Sequence, residues 1–497
     1  MKAHLLYRDM DFSVKDPLPN NAEQLEHDLD LGTLYKSMAA GDERVYDVCR
    51  AALMNGLSDY EAIEYRQHVL SDCHANPDSV RAIYKLTGDA LQEERKMFWL
   101  ITRTSPSGMM LQSPRVIGMY VEYLKRLRAI VDEHSDDFVS EGWTTLFEVL
   151  KRDLSDDYFE LVDKHLKLLR FKDGTLISAS LSFGNSGTNY VLRDPSNAKQ
   201  TIRELLHVGG RKSYSLEIPP RDEAGAKALS DLMGRGVNSA ANALTQAADH
   251  LASFFVMLRT ELAFYVGCLN LSDSLSLKGE PTCVPVARPW SPGRLNFSGL
   301  YDVCLSLRNE QRVVGNDVSA DGKTLVVITG ANSGGKSTFL RSVGVAQLMM
   351  RAGMFVAAHA LEASTCCELF THFVREEDSS MKSGKLDEEL SRMSTIADDV
   401  TPGSMILFNE SFSATNEREG SEIARQVLQA LLESDVRAFV VTHLFELAQN
   451  FYLHSEPSTL FLQAGRETDS ERTFKLHEGP PLATSYALDV YDRIGGW

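Results

Sequence analysis

Residues Thr324 to Leu340, TLVVITGANSGGKSTFL, leave the chain little freedom in local structure. The apolar run Leu325, Val326, Val327 and Ile328 reads as a strand, the glycine-rich turn after it as a loop, and the pattern from Lys336 onward as a helix. Gly330, four residues, then Gly335, Lys336 and Ser337 match the P-loop spacing in full. Gly330, Gly334 and Gly335 let the backbone N–H groups of Ala331, Asn332, Ser333 and their neighbours turn inward around phosphate oxygens. The start of the following helix, through Thr338, adds its partial positive charge. In such a loop Lys336 reaches the β- and γ-phosphates of ATP, and the Ser337 hydroxyl takes one position on Mg²⁺.

A second apolar run, Ser404 to Phe408, ends in Asn409 and Glu410, where a Walker B acidic pair belongs. Glu410 is placed to orient the attacking water, while Asn409 stands where a carboxylate usually holds Mg²⁺ through water. An amide can still bind a metal-held water but adds no charge, so weaker Mg²⁺ binding is expected. A polar loop and a helix with Ile423, Val427 and Leu431 on one face follow, and the next strand, from Arg437 to Thr442, ends at His443. A histidine at the carboxyl end of a parallel strand lies where ligands bind and could sense the γ-phosphate.

These motifs resemble the MutS family of DNA mismatch-repair ATPases. GANSGGKST, the FNE strand end, the TNEREG loop and VTHLFELA stand in that family's order and spacing. The likeness is to its shorter, stand-alone MutS-related branch. Asn316 and Asp317 resemble a family pair near the adenine, and Thr473 to Ala487, with Gly479, Ser485 and Tyr486, resembles the end of its ATPase domain. The resemblance is strong over roughly the last 190 residues and weaker in the DLDLGTL stretch and the long helix described below. It implies a homodimer with composite ATP sites, each completed by the partner's loop at residues 411–420, with Asn416 at the position of the family's usual serine. Asparagine can still donate to a γ-phosphate. The first hundred residues contain no Phe-x-Glu wedge of the kind the family's mismatch readers carry, so intercalating mismatch recognition is not expected, and no nuclease-like region is read after the ATPase segment.

The rest of the chain reads as a multidomain α plus α/β protein: an N-terminal helical core at 1–105, lever helices with a small β insert (about 174–220) at 106–280, and an ABC-type P-loop ATPase domain at 281–497. Ser113 and Pro114 read as a helix start, with another helix from near Ser155. Leu176 to Phe183, a turn at Asn185 to Gly187, and Tyr190 to Leu192 predict a hairpin, and Tyr214, Leu216 and Ile218 a further strand before Pro219. Lys199, Arg203, Arg211, Lys212 and Arg221 cluster there, fitting a solvated loop surface as well as a nucleic-acid contact. Val237, Ala241, Leu244, Ala248, Leu251, Phe255, Leu258, Leu262 and Tyr265 step by four and three, predicting a helix from Arg235 to Val266. Such a helix spans roughly 48 Å and serves as a strut or as an ordinary bundle helix. Pro281, Pro285, Pro289 and Pro292 mark the next boundary.

Composition narrows the partners. The net charge of −18 argues against a broad basic surface, though not against a local basic groove on duplex or branched DNA. Seven cysteines without a C-x-x-C pair fit a reducing compartment, and no membrane span or leader is read, so a cytoplasmic protein is expected. Two functions follow: an ATP-hydrolysing, DNA-binding dimer whose nucleotide state gates the lever arms, or an ATP-gated scaffold acting on a protein or ribonucleoprotein. A transporter ATPase subunit finds no support, since the signature loop does not resemble LSGGQ.

Overall fold

The computed structural model describes residues 1–98, 106–169, 174–193, 214–219, 221–290, 293–331, 334–375, 384–454, 456–466 and 472–482. The chain forms two compact units, one of residues 1–3 and 76–262, the other of residues 4–75 and 263–497.

The second unit begins with four helices, α1 (Ala22–Asp28), α2 (Leu31–Ala39), α3 (Glu43–Met54) and α4 (Tyr60–Ala75). Asp42 caps α3, its carboxylate accepting from the Arg44 and Val45 amides.

The first unit carries α5 (Pro77–Phe98), α6 (Pro106–His134), α7 (Glu141–Asp153) and α8 (Asp156–Leu168), the last starting next to Ser155 as expected, with the Ser155 hydroxyl accepting from the Tyr158 N–H as its cap. The helix expected to start at Ser113 instead runs from Pro106, and Pro114 lies within it. Ser113 is no cap there, because its hydroxyl lies 3.2 Å from Thr245 Oγ1. The ring costs one backbone hydrogen bond, and the face carrying Tyr120, Val121, Leu124 and Leu127 is buried along its length. The hairpin is present as β1 (Leu176–Leu181) and β2 (Gly187–Arg193), paired antiparallel. The strand expected at Tyr214 to Ile218 does not form: among the described residues this stretch has no ladder partner, and Tyr214 and Leu216 stand 87% and 90% exposed. Most of the basic cluster, Lys199 to Lys212, lies outside the described residues.

One helix, α9 (Glu223–Leu277), contributes residues to both units. It exceeds the predicted span because its first turns, mostly exposed, lack the apolar repeat that marks the rest. Tyr120 stacks on its Phe255, with ring centroids 5.2 Å apart. Between Ala263 and Leu269 nearly every side chain is buried, so there the helix is apolar all round. Its most apolar window is hydrophobic enough to cross a bilayer, but 67% of that window is buried inside the protein.

The second unit continues with β3 (Val286–Arg288), β4 (Leu295–Leu300), α10 (Val303–Arg308), β5 (Asn316–Ser319), β6 (Leu325–Gly330) and α11 (Lys336–Arg351). Then come β7 (Ala360–Ser364), β8 (Leu369–Phe373), α12 (Lys385–Asp399), β9 (Met405–Asn409), α13 (Glu417–Glu433), β10 (Arg437–Val441), α14 (Phe445–Leu453), β11 (Thr459–Arg466) and β12 (Arg472–Glu478). The larger sheet has the order β12-β11-β6-β10-β9-β8, parallel except for β12. The smaller sheet, β3-β7-β4-β5, is mixed.

Strands buried on both faces need continuous apolar sequence, and β6, β9 and β10 supply it. Leu325, Val327, Ile406, Phe408, Ala438 and Val440 pack against Ala424, Leu428 and Leu431 of α13 in one core cluster. The predicted α13 face packs here, with Leu431 inside the cluster and Ile423 and Val427 partly buried against it, and Ala424 and Leu428 widen it. This sheet brings the carboxyl ends of β6, β9 and β10 side by side.

Candidate functional site

Gly330 ends β6 with φ +116°, and a Cβ there would lie 3.0 Å from the Ala464 nitrogen on β11. Gly335, φ +91°, stands at the cap position of α11. The glycines are therefore required by backbone geometry and by the close approach of β11. Asn332 and Ser333 lie outside the described residues; Ala331 accepts from the Gly334 amide at 3.2 Å.

Lys336 is 4% exposed, and its ammonium donates to the carbonyls of Gly330 at 2.8 Å and Ala331 at 2.9 Å. Burial draws its pKa down, while nearby Glu410 opposes that shift. The cation thus rests on the carbonyls of its own loop. Ser337 Oγ donates to Asn409 Oδ1 at 2.7 Å, joining the first turn of α11 to the end of β9.

Glu410 takes φ +57°, with its N–H donating to the Val441 carbonyl at 2.8 Å. Its Oε1 lies 2.9 Å from His443 Nε2. That hydrogen bond, with the charges of His443 and Lys336, holds the Glu410 carboxyl below the usual range against the effect of burial. It is thus a carboxylate near neutral pH, suited to accepting a proton or orienting a water.

A cavity of about 540 Å³ opens over these groups, lined by Gly334, Lys336, Ser337, Thr338, Glu410 and Asn316 among others. Asn409 and His443 reach it through Ser337 and Glu410. Asn316 is buried and structural as well: its amide donates to the Phe474 carbonyl at 3.3 Å and accepts from the Leu476 N–H at 2.8 Å, fixing β12 beside the cavity. Asp317 is directed elsewhere, accepting from Ser298 and the Gly299 amide. Asn416 does not line the cavity; it caps α13, accepting from the Glu419 N–H at 3.0 Å. Ser485 and Tyr486 lie outside the described residues.

The remaining wall went unnoticed in the sequence. Tyr301, Asp302, Asn309, Arg312, Val313 and Phe474 are among the residues that form it. No motif spacing in the sequence marks this stretch as part of a site. Asp302 is almost wholly buried, caps α10 through the Leu305 amide and accepts from Arg341 Nε on α11 at 3.0 Å. Two residues just beyond α9 hold the same wall. Lys278 donates to the carbonyls of Leu307 at 3.2 Å and Asn309 at 2.7 Å as well as to Ser306. Glu280, also buried, accepts from Ser306 Oγ at 3.1 Å and the Val313 N–H at 3.0 Å.

Comparison with known families and proteins gives two non-overlapping matches. Residues 58–278 match the MutS2 N-terminal domain and residues 326–495 match MutS domain V. Among similar proteins, the endonuclease MutS2 of Anaeromyxobacter sp. (strain Fw109-5) is 30% identical over 327 residues, covering 62% of this chain and 39% of that protein. The endonuclease MutS2 of Geobacillus kaustophilus is 30% identical over 192 residues, 38% of this chain and 24% of that protein. MutS protein homolog 4 of Mus musculus is 26% identical over 247 residues, 46% of this chain and 26% of that protein. The match thus covers well under half the length of each of these relatives.

Proposed function

We propose, from the premise that this chain is a MutS-related protein, that it is a P-loop ATPase acting on DNA in or near repair and recombination. The observation carrying this reading is the meeting of a glycine loop, Lys336, Ser337 with Asn409, and Glu410 with His443 at the adjoining carboxyl ends of β6, β9 and β10.

The donors fit the group they are proposed to hold. The loop and Lys336 offer N–H and ammonium donors for a polyphosphate, and Lys336 has only two backbone carbonyls to leave. Ser337 and Asn409 present two neutral oxygens within 2.7 Å of each other, the hard donors that Mg²⁺ prefers. When bound, Mg²⁺ would neutralise phosphate charge. Glu410 would orient the attacking water and accept its proton, and His443 would fix the carboxylate and respond to the terminal phosphate.

The link to the long helix runs through the cavity wall. Lys278 and Glu280, directly after α9, tie down the segment 306–313, and Asp302 ties the start of α10, just before that segment, to α11. A nucleotide that shifts this wall would bias α9, the path by which nucleotide state would gate the lever arms of a homodimer with composite sites. Asn416, at the start of α13, would serve the partner's site.

The alternative, an ATP-gated scaffold acting on a protein or ribonucleoprotein partner, draws on the net charge of −18. ATP turnover with duplex, mismatched and branched DNA at two salt concentrations separates the two. A change produced by DNA that fades with salt supports the DNA reading, because phosphate contacts release counterions. Turnover indifferent to every DNA supports the scaffold.

A further inference from the structure

Glu410 and Phe412, on either side of Ser411, adopt φ values of +57° and +62°. Neither is glycine, and two such residues around a single position constitute a strained turn that its surroundings must hold. Those surroundings are buried and polar. The carboxylate Oε2 of Glu389, on α12, accepts from the Phe412 N–H at 2.6 Å. His372, on β8 and fully buried, places Nε2 2.9 Å from the Glu389 carbonyl and Nδ1 2.7 Å from Ser411 Oγ. A carbonyl can only accept, so the ring proton sits on Nε2, and the single Ser411 hydroxyl proton faces two acceptors of the same residue, Nδ1 and the His372 carbonyl oxygen. The His372 ring also stacks on Phe412, 5.2 Å between centroids and 20° between planes. From the other side, the absence of a side chain at Gly420 admits the Phe412 carbonyl, which would lie 2.3 Å from a Cβ there.

We propose that His372 and Glu389 are positioning residues that hold the Glu410 to Phe412 turn in its left-handed form and thereby aim the Glu410 carboxylate into the cavity. This rests on the reading that Glu410 prepares the attacking water. Neither residue lines the cavity, and among the described residues neither hydrogen-bonds to the glycine loop, Lys336 or Ser337. Their removal should therefore slow hydrolysis without weakening nucleotide binding. Glutamine at 389 keeps an oxygen for the Phe412 N–H, whereas alanine does not.

The test uses the full chain, with turnover followed by phosphate release, affinity by a fluorescent ATP analogue, and folding by thermal unfolding. Wild type and Glu410→Gln judge the hydrolysis reading by themselves: if the wild type releases no phosphate, or Glu410→Gln releases it undiminished, that reading fails whatever position 389 does. Given hydrolysis that depends on Glu410, Glu389→Ala is expected to lower kcat at least ~10-fold with affinity within about twofold, and Glu389→Gln to restore most of the rate. Unchanged kcat in Glu389→Ala, a loss matched by weaker binding, or Glu389→Gln as slow as alanine overturns the inference. Should Glu389→Ala fail to fold, Ser411→Ala decides, since it removes only the hydroxyl that partners His372. A kcat loss of about threefold or more at constant affinity supports the proposal, and an unchanged kcat overturns it.

Discussion

Ser337 Oγ and Asn409 Oδ1 are 2.7 Å apart, so the first turn of α11 and the end of β9 share one hydrogen bond where a divalent cation would sit. An aspartate at 409 would keep the acceptor and add a full negative charge. Asn409→Asp is therefore expected to retain turnover and lower the Mg²⁺ concentration for half-maximal rate by about tenfold, a gain of roughly 1.4 kcal/mol. Titrating Mg²⁺ at saturating ATP reads this directly; a need for more Mg²⁺ would remove Asn409 from the metal site.

If Glu410 prepares the attacking water as proposed, its pairing with His443 would set the acid limb of the rate. The hydrogen bond from His443 is the leading cause of Glu410's lowered pKa, so the carboxylate stays ionised until the pH falls through that lowered value, and activity is lost below it. His443→Ala removes the cause, raises the carboxyl pKa and should move the acid limb of kcat upward by about one pH unit. An acid limb that stays in place would show that Glu410 does not govern it.

Lys278 and Glu280 offer a structural test of coupling that needs no turnover. Adding ATP to the wild type should slow hydrogen exchange in the last turns of α9, residues 263–277, and in 303–313. Lys278→Ala should keep the second effect and lose the first, because the carbonyls of Leu307 and Asn309 would no longer be tied to the end of α9. Exchange in α9 that ignores ATP in the wild type would refute coupling by this route.

Burial of His372 carries a pH signature of its own. Its pKa is lowered to about 4, chiefly by burial, so the folded protein keeps the ring neutral while the unfolded chain protonates it. That difference destabilises the fold as pH drops below the unfolded value of roughly 6.5, by about 2 kcal/mol at pH 5. Thermal unfolding between pH 7 and pH 5 should show a shallower loss in His372→Gln than in the wild type. Equal slopes would mean that His372 is not neutral and buried in the folded protein.

What could be read from sequence follows the density of local chemical demand. The glycine loop, Lys336, Ser337 and the pair at 409 and 410 combine residue type with fixed spacing, and the structure gathers those it describes around one cavity. Pro114 misled because a proline suited to a first turn can also lie inside a helix where packing outweighs one lost hydrogen bond. Tyr214, Leu216 and Ile218 alternate like a strand, yet alternation fixes no partner, and none pairs with them among the described residues. The wall from Tyr301 to Val313, Phe474, and the His372 and Glu389 brace were illegible for another reason. Their roles arise from contacts between residues distant in sequence, and neither spacing nor periodicity encodes such contacts.

The most direct test of the central claim is phosphate release from ATP by the wild type, Lys336→Ala and Glu410→Gln, with nucleotide binding measured alongside. The account predicts Mg²⁺-dependent release by the wild type and a loss of ~100-fold or more in both variants, with binding kept in Glu410→Gln and weakened in Lys336→Ala. A wild type that neither binds nor hydrolyses ATP, or undiminished turnover in either variant, would contradict it.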